Sequence, residues 1–188
     1  PAQQVNRQAQ ADLRDAGLEW TVGRNGLYLE LDTVHLRAAA ATGIYANPGG
    51  DGRCGYILID ELADAYVGLA TGSGHAGRTY NLVSDNVTQA ELVALANRIC
   101  GMQVRYEPMS DADCVARFLQ LMPQRGEAVA RMLTGAFQCI RAGAFDVPSD
   151  YAAAAGRPPR SVAQMLADHR DALAAAGGLQ AAPPASGA

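Results

Sequence analysis

Residues 18–28, Leu-Glu-Trp-Thr-Val-Gly-Arg-Asn-Gly-Leu-Tyr, constrain this chain more than any other stretch. A half-alternating apolar strand runs into a polar, glycine-containing turn and from there into a helix. In open α/β sheets, ligands sit beyond the carboxyl ends of the strands, where backbone and short side chains of such turns face a guest without steric block. Arg24, Asn25, Gly26 and Tyr28 are therefore the first candidates for contact with a small molecule.

The residues before the strand fit the same unit. Val5, Ala9, Leu13 and Ala16 recur at helical spacing, and Gly17 supplies the stop. Helix, glycine turn and buried strand together predict a crossover unit of a mostly parallel sheet. A dinucleotide-binding fold normally opens with a strand, a Gly-x-Gly-x-x-Gly turn and a helix whose N-terminus receives the pyrophosphate. Nothing of that kind precedes the first helix, so the chain reads as a fragment that lacks the first strands and the glycine-rich loop. Residues 72–77, Gly-Ser-Gly-His-Ala-Gly, come nearest, but they follow a helical pattern and precede a strand, the reverse of the required order.

Of the 188 residues none is lysine; the fifteen basic residues are all arginine. That excludes, within this chain, a P-loop lysine, a Schiff-base lysine and a Tyr-x-x-x-Lys pair. The net charge of −4 and the lack of a basic stripe argue against nucleic acid as a partner. No apolar run approaches the length needed to span a bilayer. Cys54, Cys100, Cys114 and Cys139 form no Cys-x-x-Cys and read as reduced cysteines of a cytoplasmic protein. No metal site is expected, since His35, His75 and His169 pair neither with one another nor with cysteine at ligand spacing.

Further along, helical periodicity covers 29–41, a short strand 44–46, a turn-rich loop 47–52 and a strand 55–58. A helix over 61–71 follows, with Asp60 placed to cap it. The pattern then predicts a strand over 78–83, a helix over 88–100 opened by the capping box Thr88-Gln89-Ala90-Glu91 and ended by Gly101, and a strand over 103–107. Helices over 111–122 and 127–141 come next, then short helices after Ser149 and Ser161, each serine placed as N-cap. Residues 176–188, rich in alanine, proline, glycine and serine, read as a disordered tail.

In order and spacing these elements resemble the C-terminal part of the NmrA-like atypical short-chain dehydrogenase/reductases, particularly their quinone oxidoreductase and triphenylmethane reductase-like members. The residues that carry the resemblance are the helix through Leu13 and Gly17, the Arg24 to Tyr28 turn, residues 59–65 (Ile-Asp-Glu-Leu-Ala-Asp-Ala), residues 77–82 (Gly-Arg-Thr-Tyr-Asn-Leu), 88–101, and 149–166 with Gly-Arg-Pro-Pro-Arg-Ser inside it. The resemblance implies an α/β protein: residues 1–107 as the C-terminal part of a Rossmann-like NAD(P)-binding sheet domain with interleaved lobe segments, and 108–175 as a mainly helical substrate lobe. It implies NADP or NAD as cofactor of the intact parent, with Arg24, Asn25 and Gly26 facing it. It also implies Tyr28 at the substrate, and hydride transfer to a quinone-like or other planar acceptor. A complementary N-terminal half or a homo-oligomer is the implied macromolecular partner.

Phe118, Met122 and Phe137 offer flexible and aromatic cover suited to a planar guest, or simply make a core. Arg24 is equally readable as a structural ion-pair partner, and Tyr28 as packing under the lobe. No catalytic residue is assigned. Where relatives often carry His and, four residues later, Glu in the first helix, this chain has Asn6 and Gln10, which weakens a proton-transfer role there. The same replacement leaves open a second reading, a non-catalytic NAD(P)-sensing regulator that acts by binding protein partners.

Overall fold

A computed structural model describes residues 2–177. Elements alternate in the first two thirds: α1 (Ala2–Asp15), β1 (Thr21–Asn25), β2 (Leu27–Tyr28), α2 (Leu29–Ala40), β3 (Ile44–Asn47), β4 (Arg53–Ile57), α3 (Ile59–Thr71), β5 (Arg78–Leu82), β6 (Asn86–Thr88), α4 (Gln89–Cys100) and β7 (Arg105–Pro108). Helices follow: α5 (Asp111–Leu121), a 3-10 turn at Pro123–Arg125, α6 (Gly126–Arg141), α7 (Tyr151–Ala155), α8 (Val162–Asp168) and α9 (Arg170–Gly177). Residues 176 and 177 thus close a helix, and the rest of the expected tail lies outside the described residues.

Pairing is mostly parallel. β1 runs beside β5 with Thr21 opposite Arg78 and Asn25 opposite Leu82, β2 beside β4, and β3 beside β7. The Gly26 N–H, donated to the Leu82 carbonyl at 3.0 Å, carries the first ladder into the second. β4 is buried from Cys54 to Ile57 on both faces, as a strand inside a helix-covered parallel sheet must be. Leu29, Leu36, Tyr56, Ile57, Leu82 and Leu92 form the centre of the core, and Met165, Leu166 and Leu173 of α8 and α9 close it from the side of α2 and α4. The chain after α6 therefore returns to the sheet instead of staying with α5 and α6.

Four local expectations change. Arg24 and Asn25 belong to β1 itself and not to a turn, because five consecutive residues pair with β5 and only Gly26 breaks the run. A side chain on Gly26 would meet the Gly55 carbonyl at 2.7 Å, so close packing of two backbones requires glycine there. Asp60 is not a cap: α3 begins two residues earlier than expected, at Ile59, Leu58 is its N-cap without a side-chain bond, and the Asp60 carboxylate holds the Arg160 guanidinium through both oxygens. Ser149 lies one residue ahead of the N-cap Asp150, its hydroxyl accepting the Tyr151 N–H at 3.3 Å and donating to the Val83 carbonyl. β6, antiparallel to β4, is a strand that sequence periodicity leaves as a connection, since three residues cannot display a period of two.

The Thr88 capping box closes α4 with both reciprocal bonds and Gly101 ends it in the left-handed region, φ 69°. Ser161 forms a second capping box with Gln164 at α8.

Candidate active-site cleft

The carboxyl half of β1 opens onto a cleft of about 770 Å³. Arg24, Asn25, Gly26 and Tyr28 line it together with Asn6 and Gln10 of α1 and with Phe145 and Val147, which follow α6. The four residues singled out from the turn pattern are thus brought together. Two arginines, Arg7 and Arg24, line the cleft and no carboxylate does, which gives it a positive field. Arg24 reaches across to α1, donating from Nε at 3.2 Å and Nη2 at 2.7 Å to the Gln10 amide oxygen, so it is tied by hydrogen bonds and not by an ion pair.

Asn25 lies between two phenols. Its Nδ2 donates to Tyr28 Oη at 3.1 Å, while Tyr66 Oη of α3 donates to its Oδ1 at 2.8 Å. Burial pushes the Tyr66 phenol above its ordinary value, and the neighbouring Tyr28 adds to the effect. Tyr66 is absent from the expectations drawn from sequence: it lies forty-one residues from Asn25 on another element, and only the β1/β5 register with α3 packed across it brings the two together.

A second cavity, about 930 Å³, runs between α5 and α6. Val115, Met132, Leu133, Cys139 and Phe145 give it an apolar wall, with Arg131 and Asp111 also lining it. Phe145 lines both cavities, and its carbonyl accepts the Gly55 N–H at 3.2 Å, which fixes it to β4. Phe118 lies elsewhere: it is buried with Cys114 and Ala130 at the α5/α6 contact, with Met122 and Phe137 packed against that cluster. These three residues sit behind the groove and not among those lining it. The helical period identifies them as apolar-face residues and cannot separate a core side of the helix from a groove side. Among the described residues no group of His, Cys, Asp and Glu is placed to hold a metal ion, and no helix is long and apolar enough to cross a membrane.

No family model matches the chain. It is 28% identical over 157 residues to quinone oxidoreductase 2 of Escherichia coli, covering 82% of this chain and 54% of that protein. To the NAD(P)H azoreductase of Xenophilus azovorans it is 26% identical over 178 residues, 89% of this chain and 58% of the relative. Among solved structures, the NADPH-dependent quinone oxidoreductase of E. coli in complex with NADPH superposes with a TM-score of 0.77 at 26% identity, over 85% of this chain and 56% of that one. The Citrobacter triphenylmethane reductase shares the fold with a TM-score of 0.74 at 23% identity, over 86% and 56%. The chain spans between 54% and 60% of the length of the curated relatives it matches. The fold is that of Rossmann-like reductases, and the chain is similar in sequence to a quinone oxidoreductase and an azoreductase, consistent with the NmrA-like atypical short-chain dehydrogenase/reductases that its sequence resembles.

Proposed function

We propose that this chain supplies the nicotinamide- and acceptor-facing side of an NAD(P)H-dependent oxidoreductase that reduces a planar, quinone-like acceptor. The observation that carries this reading is the meeting at Phe145 of a polar, positively charged cleft and an apolar groove. Two partners that exchange a hydride must touch, and each cavity suits one of them in polarity. The amide of Asn25, the Tyr28 phenol and the guanidinium of Arg24 fit the carboxamide and phosphate side of a nicotinamide nucleotide, and the absence of carboxylates among the lining residues favours its negative charge. Bound there, the reduced nicotinamide would supply the hydride.

The chain's own contribution is position and exclusion of water. Arg24, Asn25 and Gly26 hold the cofactor side, and Tyr28 faces the acceptor. Phe118, Met122 and Phe137 act from behind, as the packed support of the apolar groove. In this reading residues 1–107 form the sheet part and 108–175 the lobe, with α8 and α9 leaning back on the sheet. The test is nicotinamide absorbance during incubation of the complete protein with NADPH or NADH and a panel of quinones. Steady oxidation that depends on quinone supports the reading, and binding without oxidation overturns it.

One observation favours a second reading. Asn6 and Gln10 line the cleft and bring no ionisable group to it, which suits a protein that binds the nucleotide and reports on it to a protein partner. Tight NADPH binding with no turnover on any acceptor would support that reading.

A further inference from the structure

We propose that Tyr66, which stands outside the cleft on α3, is a positioning residue that fixes the Asn25 amide and thereby turns the Tyr28 hydroxyl proton into the cleft, towards the oxygen of a carbonyl- or quinone-type ligand. Tyr66 Oη lies 2.8 Å from Asn25 Oδ1 and 3.4 Å from the Gly23 carbonyl. The carbonyl can only accept, so the single Tyr66 proton goes to one of two acceptors, and the nearer is Oδ1. With Oδ1 facing Tyr66, the amide NH2 faces Tyr28 and occupies a lone pair of its oxygen at 3.1 Å. The two lengths suit an O–H···O bond on the first side and an N–H···O bond on the second.

Tyr28 therefore spends none of its own proton on the triad. The opposite amide orientation would leave Tyr66 only the 3.4 Å carbonyl and would commit the Tyr28 proton to Asn25. Gly23 makes the arrangement possible, because a Cβ there would stand 2.6 Å from Tyr66 Oη. The triad is thus built by three elements: Tyr66 of α3, Asn25 of β1 and Tyr28 of β2, with Gly23 two residues before Asn25 letting the Tyr66 phenol cross.

The inference rests on the reductase reading for its chemistry. Hydride transfer from a nicotinamide nucleotide to a quinone delivers two electrons and one hydrogen, leaving oxidised nicotinamide and a hydroquinone monoanion that takes its remaining proton from water. A Tyr28 O–H aimed into the cleft hydrogen-bonds the oxygen on which that charge develops and keeps its own proton. A triarylmethyl dye cation accepts hydride at carbon and has no oxygen to bond, so it gains nothing from the triad.

The test compares duroquinone with crystal violet on the complete protein, as wild type, Tyr66→Phe and Asn25→Asp, each checked for an unaltered melting temperature. In the absence of nucleotide, Tyr66→Phe is expected to weaken duroquinone binding about fivefold, the equivalent of one lost net hydrogen bond, with the crystal violet Kd changed less than about twofold. Asn25→Asp, whose carboxylate takes the Tyr28 proton, should weaken duroquinone binding at least as much. With NADPH present, the ratio of quinone to dye kcat should fall about tenfold in both variants. Equal losses for the two ligands, or no loss for either, overturn the proposal. If the binding contrast persists while NADPH is never oxidised, the triad stands and the reductase reading fails.

Discussion

Glu61 is fully buried, and its two oxygens are treated unequally. Oε1 accepts from Arg157 Nη1 at 3.0 Å and from the Arg160 backbone N–H at 3.0 Å, whereas Oε2 has no hydrogen-bond partner. One residue earlier, Asp60 leaves 67% of its side chain exposed while holding the Arg160 guanidinium. The same arginine segment thus meets one carboxylate inside the fold and one in water, and the physical consequences differ. Glu61→Ala removes the buried acceptor shared by the partly exposed Arg157 and the Arg160 backbone N–H, while both guanidinium groups keep Asp64, Asp60 and Asp168, so urea unfolding should show a loss of about 1 to 3 kcal/mol. Asp60→Ala breaks a solvent-screened pair and should cost less than about 1 kcal/mol in the same measurement. Asp60 has the chemistry of a cap but stands inside the first turn of α3, because the helix starts two residues earlier than its periodicity predicts, within the usual uncertainty of a helix boundary.

Helix α3 depends on a contact that leaves no room, and helix α4 on its N-terminal cap. In α3, a Cβ on Gly68 would sit 2.1 Å from the Ala154 carbonyl of α7, a backbone atom that cannot step aside. Gly68→Ala should therefore lever the two helices apart and destabilise by about 1 to 3 kcal/mol through overpacking, despite the better helix propensity of alanine; thermal melting checks the sign. α4 depends on its first turn. The Thr88 backbone N–H bonded to the Glu91 carboxylate, with Arg53 beside it, holds that acid below its ordinary value of 4.5. A depressed carboxylate contributes stability that is fully present above the unfolded value and is lost as pH falls through the folded one. Acid titration of wild type against Glu91→Gln, which keeps a capping acceptor but not the charge, should thus show the difference in stability narrowing below about pH 4.5, starting from less than about 1 kcal/mol at neutral pH.

Across the molecule, β1 pairs on one side only among the described residues, and nearby Val5 and Leu18 are 69% and 66% exposed. Such an edge invites pairing, so sedimentation of the isolated chain should show association that grows with concentration. Among the described residues no glycine turn runs from strand to helix in the way a pyrophosphate needs; the Gly72 to Gly77 turn joins α3 to β5. Isothermal titration of this chain with NADPH should accordingly show binding weaker than about 1 mM, as expected for nicotinamide-side contacts alone. By itself the sequence determined the alternation of strands and helices, the capping box at Thr88, the N-cap at Ser161 and the parallel α/β class, because period, caps and glycine stops act within a few neighbouring residues. Only the tertiary structure decided that Tyr66 meets Asn25, that Phe145 instead of Phe118 lines the groove, and that Asp60 pairs with Arg160. Those contacts join residues far apart in the chain, and their geometry depends on strand register and helix packing, which are properties of the assembled core.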